Sequence, residues 1–213
     1  MGSSRTWESL AQELTTSHRA VLKWAFKRVP TGLAIGAAEL AGLLHAPEDE
    51  LWLSIRELQA AGLLQTDRQG SVVGALGLSL VPTQHQLTVS GRTLYGWCAE
   101  DVVGIPAALG WNAKVSSVCG QCGSPITVYL QAGEIVEPCW LASVRLWLND
   151  FIEGAPVSSC TCPLVNFFCG SKHAEKWRLK HPEASGRLID LEEAAEMGRE
   201  IWGWLASGVV GKE

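Results

Sequence analysis

The stretch LYGWCAEDVVG, residues 94–104, places a cysteine, Cys98, three residues before an aspartate, Asp101. On a helix, residues three apart share one face, with their β-carbons about 5 to 6 Å apart. If this stretch is helical, the thiol and the carboxyl can act on one bound atom. The alternative is a cysteine that packs as a small apolar residue beside a solvated aspartate, because free cysteine is among the most buried residue types.

The composition indicates a globular protein with reduced thiols. Of the 213 residues, 47% are apolar and 18% are charged, with a net charge of -5, so nothing attracts nucleic acid or an anionic membrane surface. The seven cysteines are odd in number, and no secretory signal pattern precedes them. No run reaches the roughly 18 apolar residues of a membrane span. We therefore expect a cytoplasmic protein without a membrane or nucleic-acid partner.

The N-terminal third carries the pattern of three helices followed by a hairpin. Residues 18–29, 37–44 and 47–61 have apolar positions three or four apart, and residues 63–89 are rich in strand-forming types with a turn at 67–70. This order is that of a winged helix-turn-helix. We expect a flexible N-terminus at residues 1–17 and a winged-helix-like domain at residues 18–90.

The charge of the third helix argues against DNA binding by this domain. One basic residue, Arg56, lies between positions 36 and 66, together with five acidic residues: Glu39, Glu48, Asp49, Glu50 and Glu57. The resulting net charge is -4, of which -3 falls on the helix that would enter the groove, and it would repel phosphates. The domain is better interpreted as a packing or lid module.

Residues 91–213 have the pattern of an α+β domain. Short segments bounded by Gly or Pro predict strands at 114–118, 126–130, 134–137, 144–148 and 164–168. Ser171 precedes a helix that ends before Pro182, and Asp190 with Glu193 forms a capping box for a last helix. The expected fold class is α+β: a winged-helix-like helical region, then a core of short mixed or antiparallel strands with flanking helices.

Two cysteine pairs suggest a metal site in this domain. CGQCGSP contains Cys119 and Cys122 at the spacing of a zinc knuckle, and the CxC of CTCPLVNFFCG contains Cys160 and Cys162. Four thiolates could bind a structural zinc ion. The simpler interpretation is a pair of cysteines in a tight turn.

The motifs YGWCAEDVVGIPAALG, VSSVC and a cysteine shortly before NFF resemble the alkylmercury lyases, also called organomercurial lyases, of bacterial mercury resistance. The resemblance extends over roughly residues 22–206. It implies a winged-helix-like N-terminal region, an α+β catalytic domain at residues 91–213, and catalysis without a cofactor.

The resemblance also implies roles for individual residues. The first active cysteine of the family falls on Cys98, the active aspartate on Asp101 and the second active cysteine on Cys162, while Cys119 matches a cysteine with a structural role. Cys122 and Cys160 are additional, and Pro163 stands where the family has a further cysteine. These departures leave open whether Cys160 or Cys162 is the second active thiol, and whether Cys119, Cys122 and Cys160 bind zinc or pass mercury along.

The expected chemistry is protonolysis of an organomercurial cation, RHg⁺. A soft metal needs soft ligands and the departing carbanion needs a proton, and two thiolates with one carboxyl supply both. Mercury binding displaces a thiol proton, which Asp101 could receive and pass to carbon, leaving Hg²⁺ bound as the product. Tyr95 and Trp97 could keep the pocket dry. Small thiols or a mercuric reductase would then accept the Hg²⁺.

A second hypothesis is a non-catalytic metal-binding or metal-sensing protein on the same scaffold. In that case the six cysteines other than Cys98 would be zinc or copper ligands. The extra CxxC and CxC pairs favour this alternative, whereas the set of Cys98, Asp101 and Cys162 favours the lyase.

Overall fold

A computed structural model describes residues 7–136 and 142–206, apart from the side chain of Glu8. Its α-helices are α1 (Trp7–Glu13), α2 (Thr16–Arg28), α3 (Ala37–Leu44), α4 (Glu48–Ala60), α5 (Ala99–Leu109), α6 (Ser171–Arg178) and α7 (Leu191–Trp202). Its strands are β1 (Leu64–Thr66), β2 (Val72–Ala75), β3 (Leu78–Ser79), β4 (His85–Val89), β5 (Arg92–Gly96), β6 (Ala113–Val118), β7 (Pro125–Gln131), β8 (Glu134–Val136), β9 (Arg145–Asn149), β10 (Asn166–Phe168) and β11 (Gly186–Ile189).

The strands form two antiparallel sheets, which confirms the predicted α+β class. The larger sheet has eight strands in the order β1-β2-β3-β5-β4-β6-β7-β8, and the smaller has three in the order β10-β9-β11. Most predicted strands are present, although Glu137, at the end of the predicted 134–137 segment, lies outside the described residues. Strand β11 was not predicted, because it has a half-exposed burial pattern and little apolar alternation.

The N-terminal third contains the predicted order of three helices, α2 to α4, followed by the β1–β2 hairpin. Within the segment expected to be flexible, residues 1–17, the structure forms helix α1, whose Leu10 is buried in the core. The eight-stranded sheet also crosses the expected boundary at residue 90, since β4 and β5 lie on either side of it and pair along their length. The N-terminal segment and the lyase-like domain therefore share one sheet.

Helices α5 and α7 cross at very short range. A β-carbon added at Gly104 of α5 would lie 2.9 Å from the α-carbon of Gly198, and one added at Gly198 would lie 2.1 Å from the α-carbon of Gly104. Any larger side chain would separate the helices. Trp202 at the end of α7 donates its indole N–H to the Leu76 carbonyl at 2.8 Å, which ties α7 to the β2–β3 turn. These contacts fix α5, which carries the residues singled out above.

No helix in the described ranges is both long and apolar enough to cross a membrane.

A buried histidine makes the fold sensitive to acid. His85 of β4 is 2% exposed, with its Nδ1 2.9 Å from the Ser117 hydroxyl and its Nε2 3.2 Å from the Gln84 amide nitrogen. An amide that donates to Nε2 requires that nitrogen to be unprotonated. Burial accordingly lowers the pKa of His85 from 6.5 to about 4.

We predict that acid destabilises the protein through this residue. The folded state disfavours the imidazolium, so the contribution of neutral His85 is complete above the unfolded pKa and is lost as the pH falls from about 6.5 towards 4. The loss between pH 7 and pH 5 should be roughly 2 kcal/mol, and His85→Asn should remove it. Urea unfolding at several pH values measures this. His45→Asn, at an exposed left-handed position, is the matched control. An unchanged pH slope in His85→Asn would contradict the prediction.

Candidate active site

Cys98 and Asp101 meet at the start of helix α5. Strand β5 ends at Gly96, so residues 94–96 are extended rather than helical. Cys98 is the N-cap of α5, and its backbone is extended, with a φ of -146° and a ψ of 178°. Its N–H donates to Asp101 Oδ2 at 2.7 Å, and its side chain accepts from the Asp101 N–H. This reciprocal pair is a capping box with a thiol in place of the usual hydroxyl. The three-residue spacing therefore serves both the helix end and the site.

Cys162 reaches this pair from a separate segment. A π-helical turn (Val157–Thr161) and a 3₁₀ turn (Cys162–Leu164) precede β10, and the Val165 carbonyl accepts from the Ala99 N–H at 3.2 Å. One ligand atom each from Cys98, Asp101 and Cys162 lies within 4.8 Å of the others. Cys160 is not part of this group; its Sγ lies 3.7 Å from the Ser159 hydroxyl. Of Cys160 and Cys162, the two candidates for the second active thiol, it is Cys162 that lies beside Cys98.

The β2–β3 turn supports Asp101 from the other side. Leu76 and Gly77 have positive φ angles of 49° and 93°, as a two-residue type I′ hairpin requires. A β-carbon at Gly77 would lie 2.1 Å from Asp101 Oδ1. Glycine is therefore required here both for the turn and for the approach of the carboxyl group.

The three side chains line a cavity of about 420 Å³, which is in the range of small-molecule sites. Cys98, Asp101 and Cys162 are 3%, 5% and 6% exposed, so these side chains are nearly inaccessible to water. Apolar side chains from both ends of the chain contribute to the wall, among them Trp7, Leu63, Val165 and Trp202.

The pKa values of all three groups are raised. Desolvation raises the pKa of Asp101 well above its usual value, although hydrogen bonds from Cys98 oppose the shift. Desolvation, together with the Cys162 hydrogen bond and the nearby Asp101, raises the pKa of Cys98 in the same way. For Cys162 the Cys98 hydrogen bond lowers the pKa, but burial and the neighbouring acids raise it, and the net shift is upward. The site therefore disfavours the thiolate and carboxylate forms of these three groups.

Two other residues of the cavity wall, Glu100 and Trp97, carry buried polar atoms. Glu100 Oε1 and Trp97 Nε1 are buried without a hydrogen-bond partner among the described residues. Desolvation raises the pKa of Glu100 to about 7, against the opposing effect of Arg187. Sequence reasoning missed Glu100, because an acidic residue in a first helical turn usually faces solvent. Of the two aromatic residues expected to dry the pocket, Trp97 lines it, whereas Tyr95 lies in β5 and does not.

The predicted zinc knuckle forms a second group with different partners. Cys119 and Cys122 lie near Cys169 and His173, with one ligand atom from each within 4.8 Å of the others. Cys160, the third expected ligand, is not among them, because it sits in the π-helical turn beside the cavity-lining residues Val157 and Thr161. The C-x₃-H spacing of Cys169 and His173 is the signal that could have identified them. Cys139 lies outside the described residues.

Two buried thiols beside a buried carboxyl whose pKa is raised form a set of groups suited to chemistry on a soft metal centre. The comparisons with known proteins specify the family. The family model described as "MerB: Alkylmercury lyase" matches residues 78–203. An alkylmercury lyase of Bacillus cereus is 34% identical over 184 residues, which cover 84% of this chain and 80% of that protein. One from Staphylococcus epidermidis is 32% identical over 198 residues, covering 90% and 88%.

The fold agrees with these sequence matches. The solved structure titled "Crystal structure of the mercury-bound form of MerB2" superposes with a TM-score of 0.87 at 28% identity, covering 93% of this chain and 96% of the other. The chain belongs to the alkylmercury lyase family, and it is an enzyme that cleaves the carbon–mercury bond of organomercurials.

We predict that Gly77→Ala disables the site without unfolding the protein. Its β-carbon would displace the Asp101 carboxyl, and a displacement of about 1 Å can lower a rate about a hundredfold. The matched control is Gly91→Ala in the β4–β5 hairpin: Gly91 has a φ of 74°, follows another positive-φ residue, and has no heavy atom within 4 Å of the added carbon.

The backbone strain of an alanine at positive φ should lower the free energy of unfolding of both variants by the same amount, about 1–2 kcal/mol. Thermal or urea unfolding measures this loss. Only Gly77→Ala should lose hydrocarbon release from phenylmercury. Equal activities in the two variants would contradict the assigned contact between Gly77 and Asp101.

Proposed function

We propose that Cys98, Cys162 and Asp101 carry out the cleavage of the carbon–mercury bond, with the two thiols as mercury ligands and Asp101 as the proton donor. The observation that supports this most strongly is the convergence of the three side chains in one buried cluster beside the cavity. Two soft sulfur ligands and one acid are the minimum that protonolysis of RHg⁺ requires. The substrate's own mercury supplies the metal, so the reaction needs no further cofactor.

The first step is capture of RHg⁺ by Cys98. Its thiol has a raised pKa, so the nucleophile is not a preformed thiolate; mercury forms the sulfur bond as the thiol proton leaves. Cys98 is the residue that the helix N-terminus holds in place, and the partial positive charge of that terminus favours developing negative charge on the sulfur. Cys162 then binds as the second sulfur ligand and weakens the carbon–mercury bond.

Asp101 completes the reaction by protonating carbon. The sequence suggested that Asp101 first receives a thiol proton, whereas its raised pKa has it start in the protonated form. It gives this proton to the carbon as the carbon–mercury bond breaks, and both thiol protons leave to solvent: RHg⁺, two thiols and the carboxylic acid yield RH, a bis-thiolate Hg²⁺, a carboxylate and two H⁺. The carboxylate left behind can bind the Hg²⁺ product as a third ligand.

We also propose that the enzyme works in the cytoplasm and passes its Hg²⁺ product to another thiol. The six cysteines of the described ranges are free thiols, which fits a reducing cytoplasm. Small thiols or a mercuric reductase would accept the bound Hg²⁺, and the physiological role would be mercury detoxification. Mercury exchanges between sulfur ligands, so an acceptor needs only a thiol that can reach the cavity.

The N-terminal residues contribute to the same cavity. We propose that residues 18–90 form a winged-helix-like module that acts as a cover, because Leu63, Leu76 and Gly77 line the cavity from that side. Trp7 of α1 adds to the cover. This cover would favour the protonated form of the Asp101 carboxyl until mercury arrives, since desolvation is the main cause of its raised pKa.

We predict that Asp101→Asn binds phenylmercury but cleaves it at least about a hundredfold more slowly, which is the loss expected on removing a general acid. Asparagine can still accept the Cys98 N–H hydrogen bond, so the helix start should persist. Benzene release measures cleavage, and the mass of the protein adduct measures binding. Wild-type rates in Asp101→Asn would remove Asp101 from proton transfer.

We also predict that the two cysteines of the CxC motif behave differently. Cys98→Ser and Cys162→Ser should release no benzene, because serine oxygen is a poor ligand for mercury. Cys160→Ser should retain wild-type activity, since its thiol is outside the cluster. Activity in Cys162→Ser with loss in Cys160→Ser would reverse the assignment of the second thiol.

A further inference from the structure

A second group of metal-ligating side chains lies outside the cavity. Cys119 follows β6, Cys122 lies in the β6–β7 turn, Cys169 follows β10, and His173 is in the first turn of α6. None of the four lines the active-site cavity. Cleavage of the carbon–mercury bond does not use them, so their convergence needs another explanation.

The turn that carries the first two cysteines has the backbone of a metal knuckle. The Cys119 N–H donates to the Ser124 carbonyl at 2.8 Å, and the Gly123 N–H donates to the Cys119 carbonyl at the same distance. Gly123 has a φ of 72°, which a side chain would disfavour. This tight loop places the sulfur atoms of Cys119 and Cys122 on one side.

The other two ligands are brought to the knuckle by the smaller sheet. The Gly120 N–H donates to the Phe167 carbonyl of β10 at 2.8 Å, which docks the knuckle against that strand. Cys169 comes directly after β10, and the start of α6 then turns His173 towards the knuckle. Its Nδ1 lies 3.4 Å from the Cys119 sulfur.

The spacing of the ligand atoms is that of a tetrahedral site. With zinc–sulfur bonds of about 2.3 Å, two sulfur ligands of a tetrahedron lie about 3.8 Å apart, and a sulfur and a nitrogen ligand slightly closer. The sulfur atoms of Cys122 and Cys169 are 3.8 Å apart, and Cys119 Sγ is 3.4 Å from His173 Nδ1. These two separations are close to those that a zinc ion would impose, and all four ligand atoms lie within 4.8 Å of one another.

We propose that Cys119, Cys122, Cys169 and His173 bind a structural zinc ion as a closed Cys₃His site. Four protein ligands leave no open position for a substrate, which separates this site from a catalytic metal centre. A relay that passes mercury onwards would need fewer ligands and an open position, because each transfer requires an incoming thiol. The borderline imidazole ligand also suits zinc.

The zinc ion would hold the second active thiol in place. The segment from Cys162 to Cys169 lies between the active site and the zinc site. Two of its backbone carbonyl groups accept hydrogen bonds from the N–H groups of Ala99 and Gly120. Zinc would join the end of this segment to the β6–β7 turn of the larger sheet. Removing it should therefore lower thermal stability and loosen Cys162, while Cys98 and Asp101 keep their helix-start geometry.

The test is the metal content of the full chain, expressed without mercury and purified under reducing conditions. Wild type and Cys160→Ser should each contain about one zinc per chain, and Cys169→Ser and His173→Ala should contain far less. Zinc at the wild-type level in both Cys169→Ser and His173→Ala would overturn the ligand assignment.

A measurement on wild type avoids variants that fail to fold. After zinc is removed with a chelator, one equivalent of Co²⁺ should give the intense visible absorption of a tetrahedral thiolate site, and zinc should displace it and raise the thermal midpoint. A six-coordinate cobalt spectrum, no metal uptake by the reduced protein, or a disulfide between Cys122 and Cys169 in the purified protein would each overturn the proposal. Because these readouts do not involve organomercurials, they are independent of the proposed roles in cleavage.

Discussion

The hydrogen bond from the Cys98 amide to the Asp101 carboxyl is the contact on which the active site depends. It satisfies an N–H group at the start of α5 that has no partner within the helix, and it fixes the carboxyl beside the thiol. The carboxyl oxygen that remains faces Gly77, where nothing larger than hydrogen fits. The residues of the helix-capping interaction and of the proposed catalytic pair are thus the same two.

This pair is useful because it is buried by parts of the chain that are distant in sequence. The β2–β3 turn, the segment after Cys162 and helix α7 all converge on α5, and the close approach of Gly104 and Gly198 lets α7 reach it. Dry surroundings raise the pKa of the acid and of the Cys98 thiol, and in the proposed mechanism the site holds its protons until a soft cation displaces them. The proposed zinc site would stabilise one of these converging segments from its far end.

Local patterns in the sequence predicted much of this arrangement. Apolar spacing and end signals predicted α2 to α4, the β6–β7 pair and the last helix. The motif around Cys98 indicated Cys98 and Asp101, and the resemblance to the alkylmercury lyases added Cys162, with Cys160 as the alternative. Contacts between distant segments could not be read in the same way. The pairing of Cys169 and His173 with the knuckle depends on how the smaller sheet docks, and α1 owes its order to the burial of Leu10 in the common core. Glu100 was missed because its burial comes from tertiary packing and not from helix periodicity.

The most direct test of the central claim is a crystal structure of the wild-type enzyme reacted with one equivalent of phenylmercury in the absence of added thiol, with mercury located by anomalous scattering. The account predicts a single mercury ion between the sulfur atoms of Cys98 and Cys162, next to the Asp101 carboxyl, with no phenyl group attached. Mercury that still carries its phenyl group, or that is bound only at Cys119, Cys122 and Cys169, would contradict it.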